Sequence, residues 1–222
     1  MRLVLFDIDK TLVDRKKGDT SKFHHAIEKV YGIKGKRIIT HGMTDQQIII
    51  DILKRENLSE KLIMDKIGEC KAEIIKYWKE KSKDYEYIVL DGVVELLTEL
   101  KRNKIPTGLV TGNLEEIAHI KLRMVKIDKF FKFGGFGSDA IKRPDIIKIA
   151  IRRAREKFGS GFEDVFVFGD SPKDIEAGKK AGTMTVGVAT GIYPPGLLKK
   201  SGANYVVKNL KNTKAVLGII NS

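Results

Sequence analysis

Short apolar runs recur along this chain, and stretches with helical spacing separate them. The clearest runs are LVLF at 3–6, IPTGLV at 105–110, VFVF at 165–168 and TMTVGVA at 183–189, and NYVV at 204–207 is a candidate fifth. Continuous apolar runs that alternate with amphipathic helices are typical of parallel strands covered on both faces. The sequence therefore predicts an α/β fold built on a doubly wound parallel sheet.

Residues 15–85 depart from this alternation. Their apolar residues, such as Phe23 and Ile27, recur at helical spacing, and turn-like breaks separate the groups. We expect a small helical domain inserted after the first strand. The predicted domains are a core of residues 1–14 and 86–222 and an inserted helical domain of residues 15–85.

The chain is basic. Lys and Arg number 42 against 29 Asp and Glu among 222 residues, which gives a formal net charge of +13. Such a charge would suit a nucleic acid, an anionic membrane surface or a small anionic substrate. The basic residues are scattered, and no basic motif interleaved with aromatic residues accompanies them. We therefore expect a solvated basic surface and no nucleic-acid partner, and keep a non-catalytic binding module as an alternative.

The sequence does not indicate a membrane span, a secretory signal or an internal disulfide. No window reaches the ~18 apolar residues of a membrane span, and RLVLF at 2–6 is too short for the apolar region of a secretory signal. A single cysteine, Cys70, excludes an internal disulfide, and its neighbours indicate a helix position rather than a thiol nucleophile. We expect a cytoplasmic protein that does not bind membranes.

Residues suited to a binding site come after three of the predicted strands. They are Asp7 and Asp9 after the first, Thr111, Gly112 and Asn113 after the second, and Asp170 and Asp174 after the third. Each could by itself be a helix cap or a turn residue. Because ligands bind beyond the carboxyl ends of the strands in an open parallel sheet, their shared position favours a binding site over independent caps.

The carboxylates point to a metal ion. Asp7 and Asp9 lie two apart in an extended chain, so both can face one site. Two close carboxylates repel, and one would take up a proton unless a cation lies between them. Asp170 adds a third oxygen donor from another strand. Oxygen donors without histidine or thiol favour Mg²⁺, with water and a substrate phosphate completing its coordination.

Four motifs in order carry a resemblance to a known family. They are DIDKT at 7–11, VTGN at 110–113, IKRPD at 141–145 and GDSPKD at 169–174. With an insert after the first strand, the chain resembles the haloacid dehalogenase-like superfamily, in its phosphatase branch with a helical cap. The resemblance implies a Rossmann-like core, a cap at 15–85 and a phosphatase similar to phosphoglycolate phosphatase.

The resemblance also implies catalytic roles. Asp7 would be the nucleophile that forms an aspartyl-phosphate. Asp9 would protonate the leaving alcohol and then deprotonate the attacking water. Thr111 and the backbone amides of Gly112 and Asn113 would bind phosphoryl oxygens at a helix N-terminus.

The implied Mg²⁺ ligands are Asp7, the backbone carbonyl of Asp9, and Asp170. Asp174 would help through water or by orienting a basic residue. That basic residue is Lys142 or Arg143. We favour Arg143, because it precedes a proline and a clear helix, and its planar guanidinium suits phosphate.

Two local features bear on turn geometry and specificity. Lys10 stands where many relatives have glycine, which leaves the turn after the first strand unexplained. The segment THGMTDQQI at 40–48 resembles the cap loop that faces the site in this branch. Equally, Thr44 and Asp45 could simply start a helix.

The predicted function is Mg²⁺-dependent hydrolysis of a small phosphorylated metabolite, with phosphoglycolate or a sugar phosphate as typical family substrates. A phosphomutase on the same fold is the nearest alternative, although Thr11 resembles the phosphatase version. Asp9 disfavours dehalogenase chemistry. A phosphonate hydrolase would need a particular cap lysine, and the sequence singles out none. Neither the substrate nor the oligomeric state follows from the sequence.

Overall fold

The computed structural model describes residues 1–18, 21–159 and 161–222. The strands are β1 (Arg2–Phe6), β2 (Val13–Lys17), β3 (Glu86–Val89), β4 (Thr107–Val110), β5 (Gly134–Gly135), β6 (Asp164–Gly169), β7 (Met184–Val188) and β8 (Tyr205–Val207). The helices are α1 (Ser21–Tyr31), α2 (Asp45–Arg55), α3 (Glu60–Lys81), α4 (Val93–Arg102), α5 (Glu115–Met124), α6 (Arg143–Phe158), α7 (Pro172–Lys180), α8 (Pro195–Lys200) and α9 (Thr213–Asn221).

Six strands form one sheet in the order β5-β4-β1-β6-β7-β8, and neighbouring strands are parallel. The predicted α/β fold is confirmed, and the five predicted strands correspond to β1, β4, β6, β7 and β8. The two-residue strand β5 escaped prediction, because two glycines carry no side-chain pattern.

Strand β1 is central, and apolar side chains cover both of its faces. Val4 and Phe6 pack with residues of α4, α5 and α9. Leu3 and Leu5 point the other way and pack with residues of α6 and α7. These four side chains are fully buried, which explains why β1 reads as a continuous apolar run rather than an alternating one.

A second, two-stranded antiparallel sheet pairs β2 with β3. It corrects the expectation that residues 15–85 are helical from their start, because residues 15–17 belong to β2. Strand β2 reads VDRKK, and its mostly charged residues give no strand signal. The division of the chain into two domains stays a prediction.

Helices α1, α2 and α3, residues 21–81, lie between β2 and β3, and we call them the helical insert. Their buried side chains form one apolar cluster that also contains Leu114 and Ile117. The insert therefore packs on α5 and the loop before it. Cys70 lies buried in α3, as expected of a structural thiol. Within the described residues, no helix combines the length and apolarity required to span a membrane.

Candidate active site

The polar residues singled out in the sequence meet at one edge of the large sheet. Asp7 directly follows β1, Thr111 follows β4 and Asp170 follows β6. A cavity of about 250 Å³ opens there. The predicted site residues that line it are Asp7, Asp9, Thr111, Gly112, Asn113, Arg143, Asp170 and Asp174. The cavity is small, so a ligand enclosed in it must be small too.

Three carboxylates converge at the base of this cavity. One oxygen from each of Asp7, Asp170 and Asp174 lies within 4.8 Å of the others, and the three residues are buried. Burial and the charge of Asp174 raise the pKa of Asp7 well above its usual value. The same two causes raise the pKa of Asp170 to about 7. Buried hard oxygen donors at this spacing suit a divalent cation of the Mg²⁺ type, which would relieve their repulsion.

Arg143 adjoins the acidic cluster at the start of α6. Its Nη1 donates to Asp174 Oδ1 and lies 3.7 Å from Asp7 Oδ1. Its Nε donates to the backbone carbonyl of Gly42, at 2.9 Å. Lys142, the alternative basic residue, is exposed and does not line the cavity. Of these two basic residues, Arg143 is the one that lies beside the acidic cluster and lines the cavity.

Hydrogen bonds with Ser171 fix the orientation of the Asp174 carboxylate. Its Oδ2 accepts hydrogen bonds from Ser171 Oγ at 2.6 Å and from Ser171 N at 3.1 Å. Ser171 in turn accepts from the Asp174 backbone amide, which completes a capping box at the start of α7. Because its other oxygen, Oδ1, accepts a hydrogen bond from Arg143, Asp174 is placed to orient that guanidinium.

Asp9 lies apart from the acidic cluster. Its carboxylate accepts two hydrogen bonds from Lys121 Nζ, at 2.8 and 2.7 Å, and one from Asn113 Nδ2, at 2.7 Å. Burial by itself would raise the pKa of Asp9, but the charge and hydrogen bonds of Lys121, helped by Asn113, lower it below its usual value. The side chain of Asp9 is therefore an anion bound to a lysine, and its carboxylate is not one of the clustered metal donors.

Lys121 was missed by the sequence analysis. It lies on α5, eight residues beyond Asn113, and its ammonium also donates to Asn113 Oδ1 at 2.8 Å. Long helical side chains lean toward the helix N-terminus, so a lysine two turns into α5 can reach the site. The available signal was the spacing of about two helical turns between Asn113 and Lys121. One lysine among many on amphipathic helices does not stand out.

The loop after β4 carries the predicted phosphate-binding groups. Thr111 is buried, and its Oγ1 accepts from Asn113 Nδ2 at 2.8 Å and from Asn113 N at 3.3 Å. Asp45 of the insert accepts from Leu114 N at 3.0 Å. The carboxylate of Asp45 thus occupies part of the α5 N-terminus, where free amides and the helix dipole favour an anion.

The segment at 40–48 reaches the site, and part of it also starts a helix. Thr44 is the N-cap of α2 and accepts from Gln47 N at 3.1 Å. Asp45 is the first residue of α2, and its backbone amide donates to Gly112 O at 2.7 Å. Both interpretations of this segment therefore hold, because the same turn begins α2 and touches the loop after β4.

The helical insert supplies part of the cavity wall. Its lining residues are mixed: Phe23, Ile48 and Trp78 are apolar, and Trp78 stacks on Tyr85 with ring centroids 4.6 Å apart, whereas Thr40, His41 and Asp45 are polar. Lys22 adds a buried cation from α1. Burial lowers the pKa of Lys22, partly offset by Asp45. The sequence analysis did not identify Lys22.

The structure explains the turn at Lys10. This residue has a φ of 64°, in the left-handed region that glycine enters without strain. Its backbone carbonyl accepts from Thr190 Oγ1, and its ammonium pairs with Asp14. The turn thus keeps the glycine-like conformation, and contacts on both sides of Lys10 stabilise it.

Comparison with known sequences finds a hydrolase family and relatives named pyrophosphatase. The sequence pattern of the family described as haloacid dehalogenase-like hydrolase matches residues 4–188. Pyrophosphatase PpaX of Oceanobacillus iheyensis is 25% identical over 227 residues, covering 98% of this chain and 97% of that protein. Pyrophosphatase PpaX of Bacillus mycoides is 25% identical over 228 residues, with the same coverage of 98% and 97%.

Solved structures share the fold. A hydrolase from Pseudomonas syringae superimposes with a TM-score of 0.68 at 21% identity, covering 100% of both chains. A β-phosphoglucomutase from Clostridium difficile gives a TM-score of 0.68 at 22% identity, covering 99% of this chain and 96% of that one. At these identities the likeness establishes the architecture, which hydrolases and a mutase share.

Proposed function

The chain belongs to the haloacid dehalogenase-like hydrolase family and is a phosphatase of that family, and from this premise we propose a Mg²⁺-dependent hydrolysis of small phosphorylated metabolites through an aspartyl-phosphate. The observation that carries the proposal is the convergence of Asp7, Asp170, Asp174 and Arg143 at the base of a small cavity. Phosphoryl transfer through an aspartyl-phosphate uses a carboxylate nucleophile, a metal ion and a cation that offset the phosphoryl charge, and these residues provide such groups.

Asp7 is the proposed nucleophile. One of its carboxylate oxygens attacks phosphorus, and the bond from phosphorus to the leaving oxygen breaks while Asp9 gives that oxygen a proton. Asp9 then removes a proton from water, whose oxygen attacks the phosphorus of the aspartyl-phosphate. Inorganic phosphate leaves and the Asp7 carboxylate is restored, so one group acts first as acid and then as base.

The donor set fits Mg²⁺. Asp7 and Asp170 would hold it together with the backbone carbonyl of Asp9, while Asp174 orients Arg143 from behind. When bound, the ion offsets the negative charge of the carboxylates and of the phosphoryl oxygens. Thr111 and the amides of the loop after β4 would bind those oxygens from the other side.

Asp9 must change partners during turnover. In this structure its carboxylate binds Lys121 and Asn113, an arrangement that keeps it deprotonated. To act as an acid, the side chain has to carry the proton that it removed from water in the preceding turnover, and it has to turn from Lys121 toward the leaving oxygen. Movement of the helical insert, acting as a cap, would accompany that turn and exclude water from the cavity.

Two alternatives to this reaction come from the comparisons. The relatives named pyrophosphatase PpaX favour a diphosphate substrate, in which the leaving group is itself a phosphate. The mutase alternative, in which the phosphoryl group returns to a sugar, rests on the shared fold alone. A cytoplasmic location and the absence of a nucleic-acid partner stay predictions.

The proposal is tested with Asp7→Asn and p-nitrophenyl phosphate. Wild-type protein should release phosphate only with Mg²⁺ present, and Asp7→Asn should lower kcat by about 10³-fold or more. The variant should melt no lower than wild type without metal, because it removes one of three repelling carboxylates. Hydrolysis by Asp7→Asn near the wild-type rate would show that the nucleophile is another residue. Isomerisation of a sugar phosphate without net phosphate release would favour the mutase.

A further inference from the structure

Lys22 is a buried cation in the wall of the active-site cavity. Its side chain is 9% exposed, and it lines the same cavity as Asp7 and Asp9. It enters from α1 of the helical insert, whereas Asp7 enters from the sheet. Removing an ammonium from water is costly unless a partner restores the lost hydration.

The partner that Lys22 has is a weak one. In the part of the chain that the structure describes, its single hydrogen bond goes to Asp45 Oδ1, at 3.5 Å. The other oxygen of Asp45 accepts from Leu114 N. The ammonium also lies over the ring of Phe23, 4.6 Å from its centroid. An ammonium has three protons to donate, so among the described residues most of the hydrogen-bonding capacity of Lys22 is unused.

Lys121 provides the contrast within the same cavity. Its ammonium makes hydrogen bonds of 2.7 to 2.8 Å to both oxygens of Asp9 and to Asn113 Oδ1. Its three protons are therefore used. Asp9, the carboxylate between the two lysines, is already engaged by Lys121 and Asn113 and does not hydrogen-bond to Lys22.

We propose that Lys22 determines substrate specificity by binding a second anionic group, a carboxylate or a phosphate, carried by the leaving group of the substrate. The inference rests on the proposed function for the position of the first phosphate. With that phosphate at Asp7 and Arg143, the leaving group faces the helical insert. Lys22 lines that cavity of about 250 Å³ from the side of the insert, where it can contact the leaving group.

Three phosphonates that cannot be hydrolysed separate the contributions. Methylphosphonate carries one anionic group, phosphonoacetate adds a carboxylate, and methylenediphosphonate adds a second phosphonate. Their Kd values would be measured by calorimetry in excess Mg²⁺ for wild type, Lys22→Met and Lys22→Arg. Lys29→Met is the matched control, because Lys29 lies on the same helix but is exposed and pairs with Glu73.

Wild type should bind at least one of the two-anion ligands at least about tenfold more tightly than methylphosphonate. Lys22→Met should remove that difference, Lys22→Arg should keep part of it, and Lys29→Met should keep all of it. The two-anion ligand that is preferred identifies carboxylate or phosphate as the second group. Equal affinity of wild type for all three ligands, or the same loss for all three in Lys22→Met, would overturn the inference.

This binding test is independent of turnover. Failure of the Asp7→Asn experiment would refute the proposed chemistry without changing the ranking of the phosphonates. Conversely, suppose that wild type hydrolyses p-nitrophenyl phosphate with Mg²⁺ but Lys22→Met does not change the ranking of the phosphonates. The proposed phosphatase activity would then stand, and the role of Lys22 would be refuted. Melting curves of the variants confirm that each has folded.

Discussion

Replacing Gly112 by alanine should push the helical insert away from the loop after β4. A Cβ added at Gly112 would lie 2.5 Å from Met43 O and 2.9 Å from Thr44 Cα. Both are backbone atoms of the insert, so no change of side-chain rotamer relieves the overlap. Gly112 does not have a positive φ, so the effect of Gly112→Ala is one of space and not of backbone strain.

The size of the effect follows from the contact. Ordinary van der Waals contact begins at 3.4 Å, so the 2.5 Å approach to Met43 O requires a displacement of about 0.9 Å. A shift of this size also disturbs the 2.7 Å hydrogen bond from Asp45 N to Gly112 O. Overpacking of this kind costs about 2 kcal/mol, which lowers Tm by about 4–8 °C in a chain of this length. A misplacement near 1 Å lowers activity by roughly 10²-fold.

The assay compares Gly112→Ala with Gly68→Ala. Gly68 lies exposed in α3, and a Cβ there meets nothing within 4 Å. Gly68→Ala should therefore melt at or above the wild-type temperature, because alanine favours the helix by about 1 kcal/mol. Both variants are measured for kcat/KM with p-nitrophenyl phosphate and Mg²⁺ and for Tm. Wild-type activity and Tm in Gly112→Ala would refute the idea that the insert is seated directly on this loop.

Three further predictions concern the buried acid Asp170 and the thiol of Cys70. Asp170→Asn should raise the Mg²⁺ concentration needed for half-maximal activity about tenfold or more, measured by metal titration after treatment with a chelator; an unchanged requirement would contradict its role as a ligand. In the chelated wild type, burial and Asp174 raise the pKa of Asp170 to about 7, so Tm should fall as the pH rises through that value, and excess Mg²⁺ should remove the trend. Burial raises the pKa of Cys70 to about 12, so the native protein should resist a thiol reagent that reacts fully after denaturation; fast labelling of the native protein would show that α3 opens.

The sheet could be predicted because its signals are local. A buried parallel strand must be apolar on both faces, and β1, β4, β6, β7 and β8 each carry that run in their own residues. The acids and hydroxyls after these strands could be placed together for the same reason, since parallel strands bring their carboxyl ends to one edge. Neither prediction depends on how the helices pack.

Strands β2 and β3 could not be predicted in this way. Their residues are largely charged or exposed, and they pair across the whole helical insert. Such pairing depends on where the insert returns to the sheet, which no local window contains. Strand β5 escaped for a different reason, because Gly134–Gly135 has no side chains that could show a pattern.

The sequence by itself determined the fold class and the acidic centre, because alternating patterns and strand-end residues express them directly. Only the tertiary structure decided which lysines matter. Lys22 and Lys121 resemble the other basic residues in the sequence, and packing of the insert on α5 buries both beside the cavity. Burial gives a charge its energetic weight, and burial is a property of the packed chain rather than of any short stretch of residues.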